Sequence, residues 1–440
     1  MKFLVITVGG SCAPIVTSIK DNKPDKIYFL CSVDTETTKG SYRTVVAEGN
    51  VCGKDPKNLD EPNILTLADV AKEGEKYEII KITDFDDFNG CYRCSLDVLR
   101  TIRNEFPDAD IIADYTGGTK SMSVGLGAAS MYVDGVTICN VRGTRVDLVK
   151  VLDGTQHVSL INVNEGFLQR QLELTDNLSE RYEYNGVLSV LDKIVELKNI
   201  PPETDKLIQK RRVYSKGFLS WDCFDHTEAW RLLSPYKKYM IDNIKFLEAV
   251  IWSRREIDSN FKEKPIEGLS NTPKGHGYEI VEDLLLNSER RASQGRYDDA
   301  VGRLYRALEL LAQVRLKLEY EIETGDVDIK KIPREYREKY ELEKDTNDGK
   351  LKIGLEGSYE LIVIVNNADP LTKAYLNTKN EFIDLLRVRN SSLFAHGFQP
   401  ITKEEYDKFH TFFEEFFDGF FAGLDAKRYA ERCQFPHRLR

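Results

Sequence analysis

Short apolar runs rich in β-branched residues alternate with helical patterns over the first third of the chain. These runs predict strands at residues 2–8, 26–32, 77–83, 109–114, 136–141 and 146–152. Between them, residues 95–105 and 120–133 have the apolar spacing of helices. Strands that alternate with helices predict a Rossmann-like α/β fold, in which helices cover both faces of a parallel sheet.

The apolar spacing changes to a helical period after about residue 165. Helices are predicted at residues 167–178, 187–197, 241–252, 279–294, 298–318, 371–389 and 403–424. Pro201-Pro202 and the stretch 264–274, which contains prolines and glycines, are predicted as connections. We therefore predict three domains, which are an α/β domain at 1–160, an all-α helical linker at 161–276 and a second all-α domain at 277–440.

The composition is that of a globular protein with more than one domain. The chain has 440 residues, of which 41% are hydrophobic and 30% are charged, and its formal net charge is −10. A negative total argues against non-specific wrapping of duplex DNA, so any nucleic-acid contact must be local. Met1 leads directly into a strand-like run, and no apolar run is long enough to span a bilayer. We therefore expect a cytoplasmic protein without a membrane partner.

The eight cysteines are scattered along the chain rather than arranged as metal ligands. Cys91 and Cys94 form a single CxxC, whereas a structural zinc site usually requires a second pair with matching spacing. We therefore expect reduced thiols, as in most cytoplasmic proteins, and no metal site.

Two Gly-rich turns follow predicted strands. Gly9-Gly10-Ser11 follows the first strand, and Thr116-Gly117-Gly118-Thr119-Lys120 follows the fourth. Open α/β sheets bind ligands at the carboxyl ends of their strands, where glycines and helix N-termini approach anions closely. Thr119 separates Gly118 from Lys120, so the second turn is not a Walker A loop, and neither turn has the Gly-x-Gly-x-x-Gly spacing. The turns predict a phosphate or nucleotide site without ATP hydrolysis or redox chemistry, or else a tight turn capped by Thr119.

Two hydroxyl residues, Ser32 and Thr35, follow the second predicted strand. The carboxyl end of this strand lies at the same edge of the predicted sheet as the Gly-rich turns. We interpret both residues either as ligand contacts or as caps of the next helix.

Arg389, Asn390 and His396 lie at the end of the predicted helix 371–389. Histidine transfers protons near neutral pH, and arginine offers a permanently charged donor fork to a phosphate. RNA carries its own nucleophile, the 2′-hydroxyl, so these groups predict metal-independent RNA cleavage. A separation of seven residues would place Arg389 and His396 on one helical face. The competing interpretation is a chance pair in which His396 caps the helix beside Gly397.

Other polar residues have less specific patterns. Asp222 and His226, four residues apart, predict a buried Asp–His contact on one helical face. The phenylalanines around His410 predict a core or a dimer interface. A group of arginines is interpreted either as a solvated face or as the lining of an RNA cleft, and comprises Arg290, Arg291, Arg296 and Arg303.

The run Asp114-Tyr115-Thr116-Gly117-Gly118-Thr119-Lys120-Ser121-Met122 resembles the signature turn of CRISPR-associated Rossmann-fold (CARF) domains. The C-terminal part resembles a HEPN (higher eukaryotes and prokaryotes nucleotide-binding) domain, whose nucleases carry Arg, four to six residues and then His. Together the two parts resemble the CARF–HEPN ancillary ribonucleases of type III CRISPR systems. Many relatives have Asn at the position of Asp114, so we expect this carboxyl group to face a backbone amide or an adenine.

The resemblance implies a homodimer that is activated by a cyclic oligoadenylate, either cyclic tetra- or hexa-adenylate, and cleaves single-stranded RNA without a cofactor. The expected products are a 2′,3′-cyclic phosphate and a 5′-OH end. It assigns the activator to the turns at residues 9–11 and 116–120 with Ser32 and Thr35, and catalysis to Arg389, Asn390 and His396. Two alternatives stay open. The CARF domain could also cleave its activator, or the chain could be a non-catalytic nucleotide sensor that recruits a partner or regulates transcription.

Overall fold

The structure is a computed structural model that describes most of the chain. The described residues are 1–52, 61–70, 76–143, 145–146, 150–151, 155–161, 165–196, 200–263, 265–393, 397–424, 426 and 428–438. They form two compact units, of which the first comprises Met1–Glu173 with Asp192–Lys206 and the second comprises Leu174–Leu191 with Leu207–Arg440. Within this part of the chain, we find no helix long and apolar enough to cross a membrane.

The first unit is built on a six-stranded sheet. The strands are β1 (Lys2–Val8), β2 (Lys26–Ser32), β3 (Tyr77–Ile82), β4 (Asp110–Asp114), β5 (Val136–Arg142), β6 (Arg145–Val146), β7 (Lys150–Val151) and β8 (His157–Ile161). The sheet has the order β3-β2-β1-β4-β5-β8, and β6 pairs separately with β7. Strands β1 to β5 are parallel, whereas β8 runs antiparallel to β5 at the edge.

Helices cover both faces of this sheet, as the alternation of strands and helices predicts. They are α1 (Ala13–Asn22), α2 (Tyr42–Val46), α3 (Ile64–Leu67), α4 (Phe88–Glu105) and α5 (Lys120–Ser130). Neighbouring residues of β1 point to opposite faces, so Phe3 packs in the cluster that contains Leu99 and Leu126, while Leu4 packs in the cluster that contains Ile15. Burial on both faces explains why the central strands β1, β2 and β4 are mostly apolar.

The predicted strand at 146–152 is wrong. The sixth strand of the sheet is β8, and the described parts of 146–152 contribute only the two-residue strands β6 and β7. A half-buried strand usually alternates between buried and exposed side chains. In β8 this alternation is weak, since the neighbouring residues Val158 and Ser159 are both partly buried. An edge strand such as β8, which pairs only with β5, is less buried and therefore less apolar than a central strand, which explains the error.

A disulfide joins Cys12 to Cys52, whose Cα atoms are 5.7 Å apart. The expectation of reduced thiols is therefore wrong for this pair. The two cysteines are 40 residues apart in sequence. Only the tertiary structure, which brings their Cα atoms within disulfide range, reveals the pairing.

The rest of the described chain is helical. Its helices are α6 (Glu165–Glu180), α7 (Tyr184–Val195), α8 (Pro202–Asp222), α9 (His226–Leu233), α10 (Ile241–Ile257), α11 (Ser259–Lys262), α12 (Glu279–Ser293), α13 (Tyr297–Tyr320), α14 (Arg337–Leu342), α15 (Leu355–Val365), α16 (Pro370–Asn390) and α17 (Lys403–Ala422). Every predicted helix is present. Pro201-Pro202 does not form a connection as predicted, because Pro202 begins α8, where its missing N–H breaks no helical hydrogen bond.

Aromatic side chains form a large part of the core of the second unit. The phenylalanine stripe of α17 is buried there, and it includes Phe409, Phe412, Phe413, Phe416 and Phe417. The core interpretation of the stripe is therefore confirmed. Thr402 and Glu405 form a capping box that begins α17.

Asp222 and the polar side chains around it form a buried network. Nε of Arg290 donates to Asp222 at 2.7 Å, and the guanidinium lies 3.8 Å from the ring centre of Phe435. Nε2 of His226 lies 3.1 Å from Asp283, so the predicted contact between His226 and Asp222 is wrong, because α8 ends at Asp222 and α9 starts the next helix at His226. Arg290 is fully buried, so it neither lines a cleft nor faces solvent.

Candidate functional site

The strand order of the first unit reverses between β1 and β4. From β1 the chain proceeds through β2 and β3 on one side, then returns to β4 and β5 on the other side. Ile6 of β1 pairs with Asp114 of β4, so the turns that follow these two strands lie next to each other. Such a switch in strand order opens a ligand crevice at the carboxyl ends of the strands.

The two Gly-rich turns are in direct backbone contact. A Cβ atom at Gly9 would lie 2.7 Å from the amide nitrogen of Gly118, and one at Gly117 would overlap the carbonyl oxygen of Thr7. Gly118 has a φ of +84°, which a residue with a side chain rarely adopts. The glycines are therefore required for the turns to approach each other.

Asp114 is fully buried beneath these turns. Its carboxylate accepts hydrogen bonds from Oγ of Ser18 at 2.5 Å, from the backbone amide of Thr116 at 2.8 Å and from the Thr116 hydroxyl. Burial raises the pKa of Asp114, although these hydrogen bonds oppose the shift. The prediction that Asp114 faces a backbone amide is confirmed.

Two of the predicted ligand hydroxyls are engaged within the protein. Thr116 accepts a hydrogen bond from the amide of Val141 at 2.8 Å and donates to Asp114. Thr119 caps α5 by accepting from the amide of Met122 at 3.3 Å, and it donates to the carbonyl of Phe85. The capping interpretation of Thr119 is therefore confirmed, and its assignment to the ligand stays a prediction.

Ser32 and Thr35 form contacts within the loop that follows β2. The Ser32 hydroxyl accepts from the amide of Ser41 at 2.9 Å, and the Thr35 hydroxyl accepts from the amide of Thr38 at 3.0 Å. Neither residue caps a helix, so the capping interpretation is wrong for both. Their ligand role stays a prediction.

Gly10, Ser11 and Lys120 are exposed at the same edge. Among the described residues, no carboxylate lies within ion-pair distance of the Lys120 ammonium group. Lys120 is the first residue of α5, where the helix N-terminus favours negative charge. The backbone of the turns, Ser11 and Lys120 can therefore receive an anionic group.

A cavity of about 700 Å³ adjoins the second turn. It begins at Tyr115, Gly118 and Lys120 and continues along the outer face of α5. Its apolar wall includes Val124, Gly127, Ala128, Met131 and Ile138. The volume is in the range of small-molecule sites.

Sequence reasoning missed the wall of this cavity. Met122, Leu126 and Ala129 form the buried stripe of α5, and a second apolar stripe at Val124, Ala128 and Met131 faces outward. A second apolar stripe on a surface helix indicates that the helix has an apolar face besides the one packed against the core, and the sequence of α5 contains this pattern.

Arg389 lies in the last turn of α16 and is partly buried. Its Nη1 donates to the side-chain oxygen of Asn390 at 3.1 Å, and its guanidinium carbon lies 4.0 Å from the ring centre of Tyr305 on α13. Asn390 is exposed. The structure therefore brings Arg389 and Asn390 together at the end of the helix.

His396 lies outside the described residues, as do the other two residues of 394–396. The prediction that Arg389 and His396 share one helical face is wrong, because α16 ends at Asn390. Beyond the gap, the amide of Gly397 donates to the Ser392 carbonyl at 3.2 Å. A Cβ atom at Gly397 would overlap the Ser391 carbonyl, so this close return of the chain requires glycine. The predicted helix at 371–389 already ended near this point, so a shared face required a helical continuation that residues 391–393 do not form.

Within the described part of the chain, one group of side chains has the composition of a metal site. Nε2 of His410 lies 3.2 Å from Glu289 and 4.0 Å from Glu414. Arg432 donates to both oxygens of Glu414 at 3.0 and 2.8 Å, and Gln434 donates to Glu289 at 3.1 Å. Both carboxylates thus already have partners within the protein, and the contacts of the group are explained without a metal ion.

A family model described as the Csm6 HEPN domain matches residues 270–419. This span contains helices α12, α13 and α16 and most of α17, together with Arg389, Asn390 and His396. No curated protein matches the chain.

Among solved structures, the chain is similar to Enterococcus italicus Csm6 bound to cyclic hexa-2′-fluoro-hexa-dAMP. The match covers 97% of this chain and 95% of that chain, with 12% identity and a TM-score of 0.58. It shows a shared fold over the full length.

Two further structures match only in part. The match to a type III CRISPR defence DNA nuclease activated by cyclic oligoadenylate covers 49% of this chain and 33% of that chain, with 14% identity and a TM-score of 0.21. Can2 from Sulfobacillus thermosulfidooxidans in complex with cyclic tetra-adenylate covers 50% and 66%, with 12% identity and a TM-score of 0.21. Scores this low carry no argument about the fold. The chain therefore shares the fold of Csm6, with a Rossmann-like sheet followed by a helical unit, and its residues 270–419 match the Csm6 HEPN domain.

Proposed function

We propose that this chain is a single-stranded RNA endoribonuclease of type III CRISPR antiviral defence that a cyclic oligoadenylate activates. The observation that carries the proposal is the match of residues 270–419 to the Csm6 HEPN domain, because this span includes Arg389, Asn390 and His396. The position of Arg389 and Asn390 at the end of a long helix supports it further.

The proposed chemistry uses the nucleophile that RNA already carries. His396 removes the proton from the 2′-hydroxyl, whose oxygen then attacks the adjacent phosphorus and displaces the 5′-oxygen of the next nucleotide. The leaving oxygen takes a proton from water to become the 5′-OH, and His396 returns its proton to solvent. Arg389 stabilises the negative charge that develops on the phosphate oxygens, and Asn390 holds the Arg389 guanidinium by its hydrogen bond. The products are a 2′,3′-cyclic phosphate and a 5′-OH end, and no step of this chemistry requires a metal ion.

The proposed activator site is the carboxyl edge of the sheet at the switch between β1 and β4. Backbone amides of the two Gly-rich turns, the N-terminus of α5 and Lys120 would bind phosphates, and the adjoining cavity offers apolar contacts to an adenine. The E. italicus Csm6 structure holds a cyclic hexanucleotide analogue, which makes cyclic hexa-adenylate the first activator to test.

We also propose that the active protein is a homodimer. A HEPN site with one arginine and one histidine from each copy would hold four groups around one scissile linkage. A two-fold axis that passes beside Arg389 and His396 would bring the same residues of both copies to one site.

Substitution of the two proposed catalytic side chains tests the ribonuclease. With cyclic hexa-adenylate present, Arg389→Ala and His396→Ala are each expected to lower the rate of RNA cleavage by about 100-fold or more, since removing one group that stabilises a transition state typically costs that much. The matched control is Arg387→Ala, because Arg387 is exposed two residues earlier and pairs with Asp384 at 2.9 Å. It should keep the parental rate within about two-fold, as expected for an exposed ion pair.

Binding of the activator separates the proposal from its rival. Isothermal titration of cyclic hexa-adenylate should give the same affinity for the parent and all three variants. If the parent binds the activator but cleaves no RNA with any cyclic adenylate, the chain is a sensor and not a nuclease.

Cleavage of the activator itself would depend on few groups. The hydroxyls of Thr116 and Thr119 are already bonded within the protein, which leaves Ser11 and Lys120 as the side chains free to position the ligand. Incubating labelled cyclic hexa-adenylate with the His396→Ala variant tests this activity without interference from the HEPN site.

A further inference from the structure

The guanidinium of Arg389 packs on an aromatic ring of another helix. Its carbon lies 4.0 Å from the ring centre of Tyr305, which is partly buried in α13 and packs against the core of the second unit. A cation above the face of a tyrosine ring at this distance is attracted by the negative face of the ring.

Hydrogen bonds alone do not fix this guanidinium. Nη1 of Arg389 donates to the side chain of the neighbouring Asn390, and Nε is buried without a hydrogen-bond partner. Asn390 is itself exposed at the helix end. The ring of Tyr305 is therefore the buried group that determines where the guanidinium lies.

Arg389 also differs in its charge environment from other arginines of the second unit that are buried or partly buried. Arg315 pairs with Asp369 at 2.8 Å, Arg211 pairs with Asp176 at 3.0 Å and Arg432 pairs with Glu414 at 2.8 Å. Among the described residues, no carboxylate lies within ion-pair distance of Arg389. The residues 394–396, which follow close in sequence, include no acidic residue.

This environment suits an arginine that must bind an external anion. A carboxylate partner would hold the guanidinium but would also compete with a phosphate for its donors and cancel its charge. An aromatic face holds the guanidinium and leaves both its charge and its outward donors available.

We propose that Tyr305 is a positioning residue of the nuclease site, which holds the Arg389 guanidinium by its aromatic face so that it can bind the phosphodiester of RNA. The inference rests on the proposed function, and it adds a residue outside the Arg-to-His motif. The role belongs to the ring and not to the hydroxyl group.

Substitutions at Tyr305 test the role of the ring. Tyr305→Phe keeps the aromatic face, so its kcat/KM for activated RNA cleavage should remain within about two-fold of the parent. Tyr305→Leu removes the face, and kcat/KM should fall about ten-fold, in the range expected for a partly desolvated cation–π contact. Tyr305→Gln should give the same loss and serves if the leucine variant does not fold. Tyr297→Leu is the control, because Tyr297 lies on the same helix but packs against Tyr406, with 6.0 Å between the two ring centres.

The salt dependence of RNA binding gives a second readout, because a smaller folded fraction would not change the slope. The affinity of a 2′-O-methyl RNA oligonucleotide, which cannot be cleaved, is measured by fluorescence anisotropy over a range of salt concentrations. Loss of one phosphate contact in Tyr305→Leu should reduce the slope of log affinity against log salt by about 0.7, and Tyr305→Phe should keep the parental slope.

The outcomes separate the two proposals. A leucine variant with the parental kcat/KM and salt slope, or a phenylalanine variant as impaired as leucine, overturns the role of the ring. A parent that binds RNA but does not cleave it removes the nuclease and leaves the binding series to decide Tyr305. A parent that neither binds nor cleaves RNA overturns both.

Discussion

The ionised carboxylate of Asp114 is unfavourable where it lies. The side chain is fully buried below the ligand edge and is surrounded by three hydrogen-bond donors. Removal from water raises its pKa above the ordinary value of 3.8, and the donors reduce this shift without cancelling it. Ionisation of Asp114 therefore costs more free energy in the folded state than in the unfolded state.

Asp114→Asn is expected to raise stability near neutral pH. With the folded pKa raised, the stability that the Asp114 proton contributes is fully present below pH 3.8 and is lost as pH rises through the folded pKa. Asparagine has no such loss, and it can still accept from Thr116. Thermal melts at pH 7.5 should show a higher melting temperature than that of the parent, and the gain should shrink towards pH 4.

Asp110→Asn is the matched control, because Asp110 begins the same strand and is exposed. Its melting temperature should stay at the parental value at both pH values. A variant at position 114 that is equally or less stable than the parent at pH 7.5 would show that the hydrogen bonds outweigh the cost of burial.

At the residue scale, the sequence predicts the local turn and its polar groups better than it predicts the partners of each side chain. The glycines and threonines of residues 116–119 predict a tight turn at the start of a helix, and the structure has one. The sequence could not show that Thr116 and Thr119 bond to Asp114 and Phe85, since these contacts depend on how β4 and its neighbours pack. Tyr305 was also hidden, because its partner Arg389 lies 84 residues away on another helix.

At the scale of elements, the start of α5 connects stability to the ligand edge. Thr119 receives the amide of Met122 and donates to the carbonyl of Phe85, which lies in the segment before α4. The same residue thus fixes the N-terminus of α5, where backbone amides face the proposed activator. A change at Thr119 should therefore act first on the helix and only through it on the ligand.

Thr119→Ser and Thr119→Val separate these roles. Serine keeps the hydroxyl, so the free energy of unfolding should remain close to that of the parent. Valine has the same shape without the hydroxyl and should lower the free energy of unfolding by about 1–2 kcal/mol, the usual cost of losing a cap. Urea unfolding measures both. If Thr119→Val kept full stability and lost only affinity for cyclic hexa-adenylate, the hydroxyl would be a ligand contact.

The elements that could be predicted are those with a strong and regular apolar pattern. The central strands β1, β2 and β4 are buried on both faces over most of their length, so each appears as a nearly continuous apolar run. Helix α8 was missed, because its polar residues outnumber its apolar ones and a proline begins it. The end of α16 at Asn390 agrees with the predicted end at residue 389, although no glycine or proline follows before Gly397.

At the scale of the whole molecule, the charge balance limits how RNA is bound. A net charge of −10 repels RNA at long range, so affinity must come from a few local contacts such as that of Arg389. The two compact units carry separate candidate sites, one at the edge of the sheet and one at the end of α16. An activator at the first site affects the second only if it binds the active state more tightly than the inactive one.

The most direct test of this account is the rate at which the full chain cleaves a single-stranded RNA reporter with and without a cyclic adenylate. Cyclic tetra-adenylate, cyclic hexa-adenylate and linear hexa-adenylate as control are compared at equal concentration. The account predicts that one cyclic compound raises the rate by roughly 100-fold, which corresponds to a difference in affinity of a few kcal/mol between the two states, and that the linear compound does not. Equal rates with and without every cyclic adenylate would contradict it.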